Sequence, residues 1–437
     1  MLGIFFCYDI PSALQDQFQG NLTCPKATEA GGSELCVRGL GMTPQQYNLL
    51  FVVHSWASVV VTLVSGFLID KLGNFIGICL SSFLSISGTV LFALGSHFRG
   101  TAYLLPLMLT GRLLLGSGIG SMSVLQDCIT AFWFEEKELA MAFGVTIGFS
   151  HLGSILNFFV TQIFEQAYGL QWTLWGGTLL CVFSAGMALI AGNLDRIGVK
   201  QLGLESMIQE ESSKIRIGDV KRLPLRYFLL TLSMTFFYNI ILPFIADASK
   251  FFLDKFSGYS QQEANSVAGA VYICALVFTT VAGCLIDFVG LRVIILLVCA
   301  VLTLPVLTVL AFTNIPPLIC TILLGMIYSF VAASTWPSIV LVVPRATVGT
   351  AIGLTTAVSM AGTGVSHLII GAILDTSNRV VKIPLWRWQW MMIYLIINAI
   401  GCIISSVLLN IVDHRQGGIL NKTRKKWKQT KKVDDSH

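Results

Sequence analysis

Apolar residues recur in blocks of about 20 or more, separated by short polar turns, and each block is long enough to carry a helix across a hydrocarbon core of about 30 Å. The blocks cover residues 1–18, 46–70, 75–97, 102–126, 139–166 and 172–193, and then 226–253, 264–287, 291–313, 316–342, 347–371 and 388–412. A polar stretch from Asn193 to Pro224, containing QEESSK, separates the two sets of six. The pattern predicts an all-α polytopic membrane protein. It divides into a six-helix half at 1–194, a central loop at 195–224, a second half at 225–413 and a basic tail at 414–437. The first block opens almost directly on GIFFCYDIPSAL and reads as the second part of a spanning helix, so a truncated first helix is expected. It lacks the basic front and small-residue cleavage site of a signal peptide.

Composition agrees with this reading. The 437 residues are 54% hydrophobic and only 12% charged, with a mean hydropathy of +0.76, whereas a soluble domain carries roughly a quarter charged residues. The net charge of +5 is no nucleic-acid signal, because the excess lies in loops and the tail. With loops alternating sides, nineteen basic residues fall on the side of the central loop and tail and eight on the other. Basic loops stay cytosolic, so both termini and the central loop are expected there. The tail run KTRKKWKQTKK suits either anionic lipids of the bilayer or plain solvation. Most of the eleven cysteines lie in apolar spans, where a thiol behaves as a small hydrophobe. Cys24 and Cys36 instead share a polar loop with the sequon at Asn21. A disulfide and a glycan, or two free thiols and an unused sequon, both fit.

The two halves echo each other. GFLIDKLG at 66–73 returns as GCLIDFVG at 283–290, with five of eight positions identical and an offset of 217. AMAFGVTIGFSHLG at 140–153 returns as GTAIGLTTAVSMAG at 349–362, offset by 209. A duplicated six-helix unit around a midplane site is the architecture of a secondary transporter. The motif Gly66, Asp70, Lys71, Gly73 resembles the signature loop of the major facilitator superfamily, with Asn74 where the family usually has a basic residue. Gly283, Asp287, Gly290 and Arg292 form the second copy. The resemblance implies a twelve-helix major facilitator fold of two pseudo-symmetric halves, with both loops acting as gate latches. GRLLLGSGIGSM at 111–122 resembles the fourth helix of that superfamily. Its glycines favour close packing, and Arg112 is a strong cation deep in a span, a feature that is usually functional or paired. Asp9 is the nearest candidate partner, and Arg112 is counted with the gate residues.

FFCYDIPSALQ, FWFEEKELAMAFG, LVVPRATVGTAIG, Trp336-Pro337 and QGGILN together resemble the lysosomal dipeptide transporter family of that superfamily. The resemblance implies a uniporter that moves dipeptides, notably basic ones, from lysosome to cytosol. It also implies an accessory subunit, glycosylated lysosomal membrane protein. Tyr8, Asp9, Tyr238, Trp336 and Pro337 match the pocket of the family. Gly120 stands where the family holds the peptide amine with a glutamate, and His151 where it holds the peptide carboxylate with an arginine; Ile10 replaces an asparagine. Another solute such as an organic anion, or a non-transporting scaffold or sensor, is therefore an open alternative. The acidic dileucine sorting signal of the family belongs to an N-terminal tail ahead of the first residue here.

His151 lies about 18 Å into its helix at 1.5 Å per residue, near mid-membrane. It is expected either to hydrogen-bond a neighbouring helix or to bind a substrate carboxylate when protonated and release it when neutral. His54 and His367 fit the first role. The stripes around Phe236 and Thr350 read as packing. No metal-spaced His/Cys set, nucleophile elbow or phosphate-cradling loop is present, so neither enzyme chemistry nor a cofactor is expected; GSGIGSMS lies inside an apolar helix and is no nucleotide loop.

Overall fold

In the computed structural model the protein is described for residues 1–22, 39–134, 138–203, 223–256, 258–344, 347–375 and 382–422, with the side chains of 66–72 also outside the description. Fourteen α-helices make up the described chain. The first half holds α1 (Leu2–Ala13), α2 (Gln15–Gln19), α3 (Pro44–Leu72), α4 (Asn74–Gly95), α5 (Leu104–Phe134), α6 (Leu139–Ser150), α7 (Leu152–Tyr168) and α8 (Leu170–Gln201). The second half holds α9 (Leu225–Lys255), α10 (Gln261–Val289), α11 (Arg292–Phe312), α12 (Pro317–Val342), α13 (Val348–Leu374) and α14 (Leu385–Arg415). Taking α6 and α7 as one span, eleven helical spans among the described residues are long and apolar enough to cross a membrane. The shorter apolar α1 supplies the first predicted segment.

Two elements differ from the simple hydropathy reading. The segment expected over 139–166 is broken at His151, where α6 ends and α7 begins. The His151 amide bonds both Ile147 and Gly148 carbonyls, a local tightening of the turn. The segment expected over 172–193 runs on to Gln201. Its polar extension is held because Asp195 accepts hydrogen bonds from Asn74 Nδ2 at 3.0 Å and Trp133 Nε1 at 2.8 Å.

The two halves meet chiefly through α3 against α13 and through α6 and α7 against α10. The second contact explains part of the repeat. A Cβ on Gly144 would lie 2.5 Å from the Thr279 carbonyl oxygen, and one on Gly283 would lie 2.4 Å from that of Ala140. Backbones this close leave no room for a side chain, which is what small residues at helix crossings permit. Large apolar side chains such as Phe83, Leu179 and Phe288 point outward and are about two-thirds exposed, as a lipid-facing surface requires.

Candidate functional site

At mid-depth the two halves are joined by a chain of polar and aromatic contacts. Asp9, on α1, is 1% exposed. Its backbone carbonyl takes a hydrogen bond from Asn157 Nδ2 at 2.8 Å, which fixes α1 on α7. Its carboxylate faces the Tyr272 hydroxyl of α10 at 3.5 Å. The Tyr272 ring stacks on His151 with centroids 4.9 Å apart, and His151 Nε2 meets the Tyr328 hydroxyl of α12 at 2.9 Å. Tyr328 packs edge-on against Tyr238 of α9, whose hydroxyl accepts from Trp336 Nε1 at 2.7 Å. The break at His151 leaves the ring buried between the halves, against Tyr272 and Tyr328. His151 Nδ1 and one Asp9 carboxylate oxygen are buried without a hydrogen-bond partner. Buried polar atoms are seldom left so, and a polar solute between the halves would satisfy both.

Of the predicted site residues, the structure brings Asp9, His151, Tyr238 and Trp336 into this chain, with Tyr8 beside Asp9. Gly120 does not join them. A Cβ there would lie 2.7 Å from Thr62 Cγ2, so this stretch of α5 is seated on α3. Sequence reasoning missed Tyr272 and Tyr328, because an aromatic residue in an apolar helix reads as packing. It also missed Asp127, whose signal was a single carboxylate within α5, and which is 6% exposed.

Arg112 is wholly buried, and its Nη1 donates to the Tyr8 carbonyl at 3.0 Å. Its guanidinium lies 4.7 Å from the Phe92 ring centroid, 5.4 Å from Phe51 and 5.9 Å from Tyr8, a cation–π enclosure. No ion pair with the Asp9 carboxylate forms among the described residues; that acid turns toward Tyr272. His367 stacks on Phe51 and faces Asn48 Oδ1 at 3.4 Å, while His54 packs against Tyr8.

The second copy of the acidic motif ties the halves together at one end of the molecule. Asp287 accepts the amides of Ala140 at 3.3 Å and Met141 at 3.0 Å, at the start of α6 in the other half, and pairs with Arg292 at 3.3 Å. An acid at a helix N-terminus is favoured by the dipole and by its unpaired amides. Gly73 and Gly290 both adopt positive φ, 84° and 72°, as the turn in each copy requires. The surroundings of Gly66 and the side chains of Asp70 and Lys71 lie outside the described residues, as do Cys24 and Cys36. Asn21 is described, and its carbonyl accepts from Gly39 and Arg99.

The opposite end is tied by residues the sequence reading did not single out. Lys250 pairs with Asp16 at 2.8 Å and Asp254 at 3.3 Å. Gln15 donates to Asp247 at 2.8 Å, and the Tyr47 hydroxyl donates to the Ala246 carbonyl at 2.8 Å. Asn265 Nδ2 reaches the Ala13 carbonyl at 2.9 Å. These bonds hold α1, α2 and α3 to α9 and α10.

Paired halves, a polar site between them and ties at both ends define a membrane carrier. The chain belongs to the Major Facilitator Superfamily, whose family model matches residues 32–251 and 225–433, and it is a membrane transporter. Among relatives, it is 32% identical to the lysosomal dipeptide transporter MFSD1 of Bos taurus, over 98% of this chain and 87% of that one. It is 30% identical to the protein of the same name from Homo sapiens, with the same coverage. Among solved structures it resembles the proton:xylose symporter XylE bound to 6-bromo-6-deoxy-D-glucose, with a TM-score of 0.69 at 14% identity over 94% of this chain and 93% of that one. It also resembles a bacterial homologue of the iron transporter ferroportin, with a TM-score of 0.65 at 13% identity over 94% and 98% of the two chains. These two likenesses show the fold alone.

Proposed function

We propose that this transporter carries dipeptides out of the lysosome by alternating access, as a uniporter, with both termini in the cytosol. The observation that carries this reading is the contact chain from Asp9 to Trp336. It links α1 and the α6–α7 break to α9, α10 and α12, so a solute held there touches both halves. A site shared by two halves is what a rocking carrier needs, since its contacts are exchanged as the halves tilt. The relatives named lysosomal dipeptide transporters support the substrate class and the compartment.

In this orientation the Asp287 end is cytosolic and the Asp16–Lys250 end luminal. Asp287 with Arg292, and Asp70 with Lys71 in the first copy, act as the cytosolic latches; Gly66, Gly73, Gly283 and Gly290 give them their turns and close crossings. Asp9 and His151 offer unpaired polar atoms to the peptide backbone, while Tyr8, Tyr238 and Trp336 wall the side-chain space. Glycosylated lysosomal membrane protein accompanies the transporter on the luminal side, where Asn21 is open to glycosylation and Cys24 with Cys36 to a disulfide. An organic-anion carrier would need a cation facing the solute, and Arg112 is enclosed by aromatic rings. The test is the thermal stability of the purified protein against a panel of dipeptides, amino acids and organic anions. Ligand that binds only the folded state raises the melting temperature. Stabilisation by dipeptides is expected; stabilisation confined to organic anions, or none across the panel, would overturn the reading.

A further inference from the structure

Asp127 is the one carboxylate of α5 and is 6% exposed, two helical turns beyond Gly120. It has no hydrogen-bond or ion-pair partner among the described residues. A carboxylate is costly to bury unpaired, and an ionisable group in a membrane span marks the path of a charged solute more often than a packing position. Its surroundings belong to the site. Asp127 lies within electrostatic range of the Tyr238 and Tyr328 hydroxyls. The adjacent Gln126 accepts from Ser150 Oγ at 3.2 Å, so α5 at 126–127 abuts α6 at 150–151.

We infer that Asp127 anchors the cationic amine of the transported solute, and that the carboxylate of that solute is dispensable for binding at neutral pH. The second clause rests on the dipeptide reading; the first does not. Position supports it. Asp127 and His151 stand on neighbouring helices at the Gln126–Ser150 contact, so a solute whose amine meets Asp127 lies beside His151, with the Tyr238 and Tyr328 hydroxyls within electrostatic range of the same carboxylate. At the far end no full positive charge is offered by the described residues. Arg112 is enclosed by Tyr8, Phe51 and Phe92, and Lys250 is engaged with Asp16 and Asp254 at the other end of the molecule. A neutral imidazole can hydrogen-bond an amide as readily as a carboxylate.

The test uses the purified full-length protein at pH 7.5, with binding measured for dialanine, N-acetyl-dialanine, dialanine amide and phenethylamine. Dialanine amide is expected within about threefold of dialanine, and N-acetyl-dialanine at least about tenfold weaker, the loss of one charge-assisted bond. Asp127→Asn should weaken dialanine by a similar factor, with Asp127→Glu recovering part of it. Acetylation is read on the unaltered protein, so a folding defect in a variant cannot mimic it. Dialanine binding unchanged by Asp127→Asn, or undiminished by N-acetylation, overturns the amine anchor while leaving the dipeptide reading intact. Dialanine amide more than tenfold weaker than dialanine overturns the second clause. Phenethylamine binding that depends on Asp127, with no dipeptide bound, keeps the anchor and removes the dipeptide. No amine bound at all overturns the anchor.

Discussion

Replacing Tyr328 by phenylalanine removes the hydroxyl that meets His151 Nε2 at 2.9 Å and leaves a buried ring nitrogen unpaired. Such a loss costs about 1–3 kcal/mol. Because that bond is present in the empty protein, Tyr328→Phe is expected to lower its melting temperature measurably, and to weaken dipeptide binding by about tenfold through the displaced imidazole; titration and a thermal scan on the same sample read both. A pH response is expected to centre on His151. The ring stacks on Tyr272 and bonds Tyr328, with Asp9 on α1 and Asp127 on α5 as the nearby acids, and no carboxylate of the described residues pairs with it. A proton on this buried ring is costly unless a substrate carboxylate arrives with it. Acidification should thus strengthen binding of dialanine, and not of its amide, between pH 7.5 and 5. His151→Gln should abolish that difference, and an unchanged pH profile in the variant would contradict the role. At this scale the sequence was partly legible. His151 stood out because an ionisable residue in an apolar run is rare, and Asp9 and Tyr238 through motif resemblance. Tyr272 and Tyr328 could not stand out, since only packing shows whether an aromatic hydroxyl meets lipid or another helix.

Among the elements, the α6–α7 break and the α6–α10 crossing carry the most consequence. The duplicated glycines at 144, 283 and 353 and the repeated acidic motif were plain in the sequence, and the structure explains two of these glycines as backbone contacts between halves. The break at His151 was only faintly marked: no proline stands there, and the glycines and serines at 148, 150, 153 and 154 serve close packing as readily as a kink. Gly120 stands where the resembled family has an amine-binding glutamate, and a Cβ there would lie 2.7 Å from Thr62 Cγ2. Gly120→Glu would force α5 away from α3, and overpacking of this kind destabilises by about 1–3 kcal/mol. A lower melting temperature without gain of dipeptide affinity is expected; a gain in affinity at full stability would show that the side chain can reach the site.

For the whole molecule, ties at both ends must break in turn as the halves rock. Asp287 holds the Ala140 and Met141 amides in the first turn of α6 at one end; Asp16, Lys250, Gln15 and Asp247 hold the other. Cysteines at 15 and 247, in place of a glutamine and an aspartate 2.8 Å apart, should form a crosslink that stops transport and is reversed by reductant. Transport unaffected by the crosslink would mean that this end does not open. The all-helical membrane architecture was readable from hydropathy and spacing, with eleven long apolar spans and the short α1 among the described residues where twelve segments were expected. The ties at the Asp16 end were not, since Gln15, Asp16 and Lys250 lie far apart in sequence and carry no motif. The most direct measurement is counterflow of labelled dialanine in proteoliposomes containing the purified full chain. Exchange well above that of empty vesicles, and reduced at least about tenfold by Tyr328→Phe together with Asp9→Asn, is the predicted result. Labelled dialanine exchanging no faster than in empty vesicles would contradict dipeptide carriage.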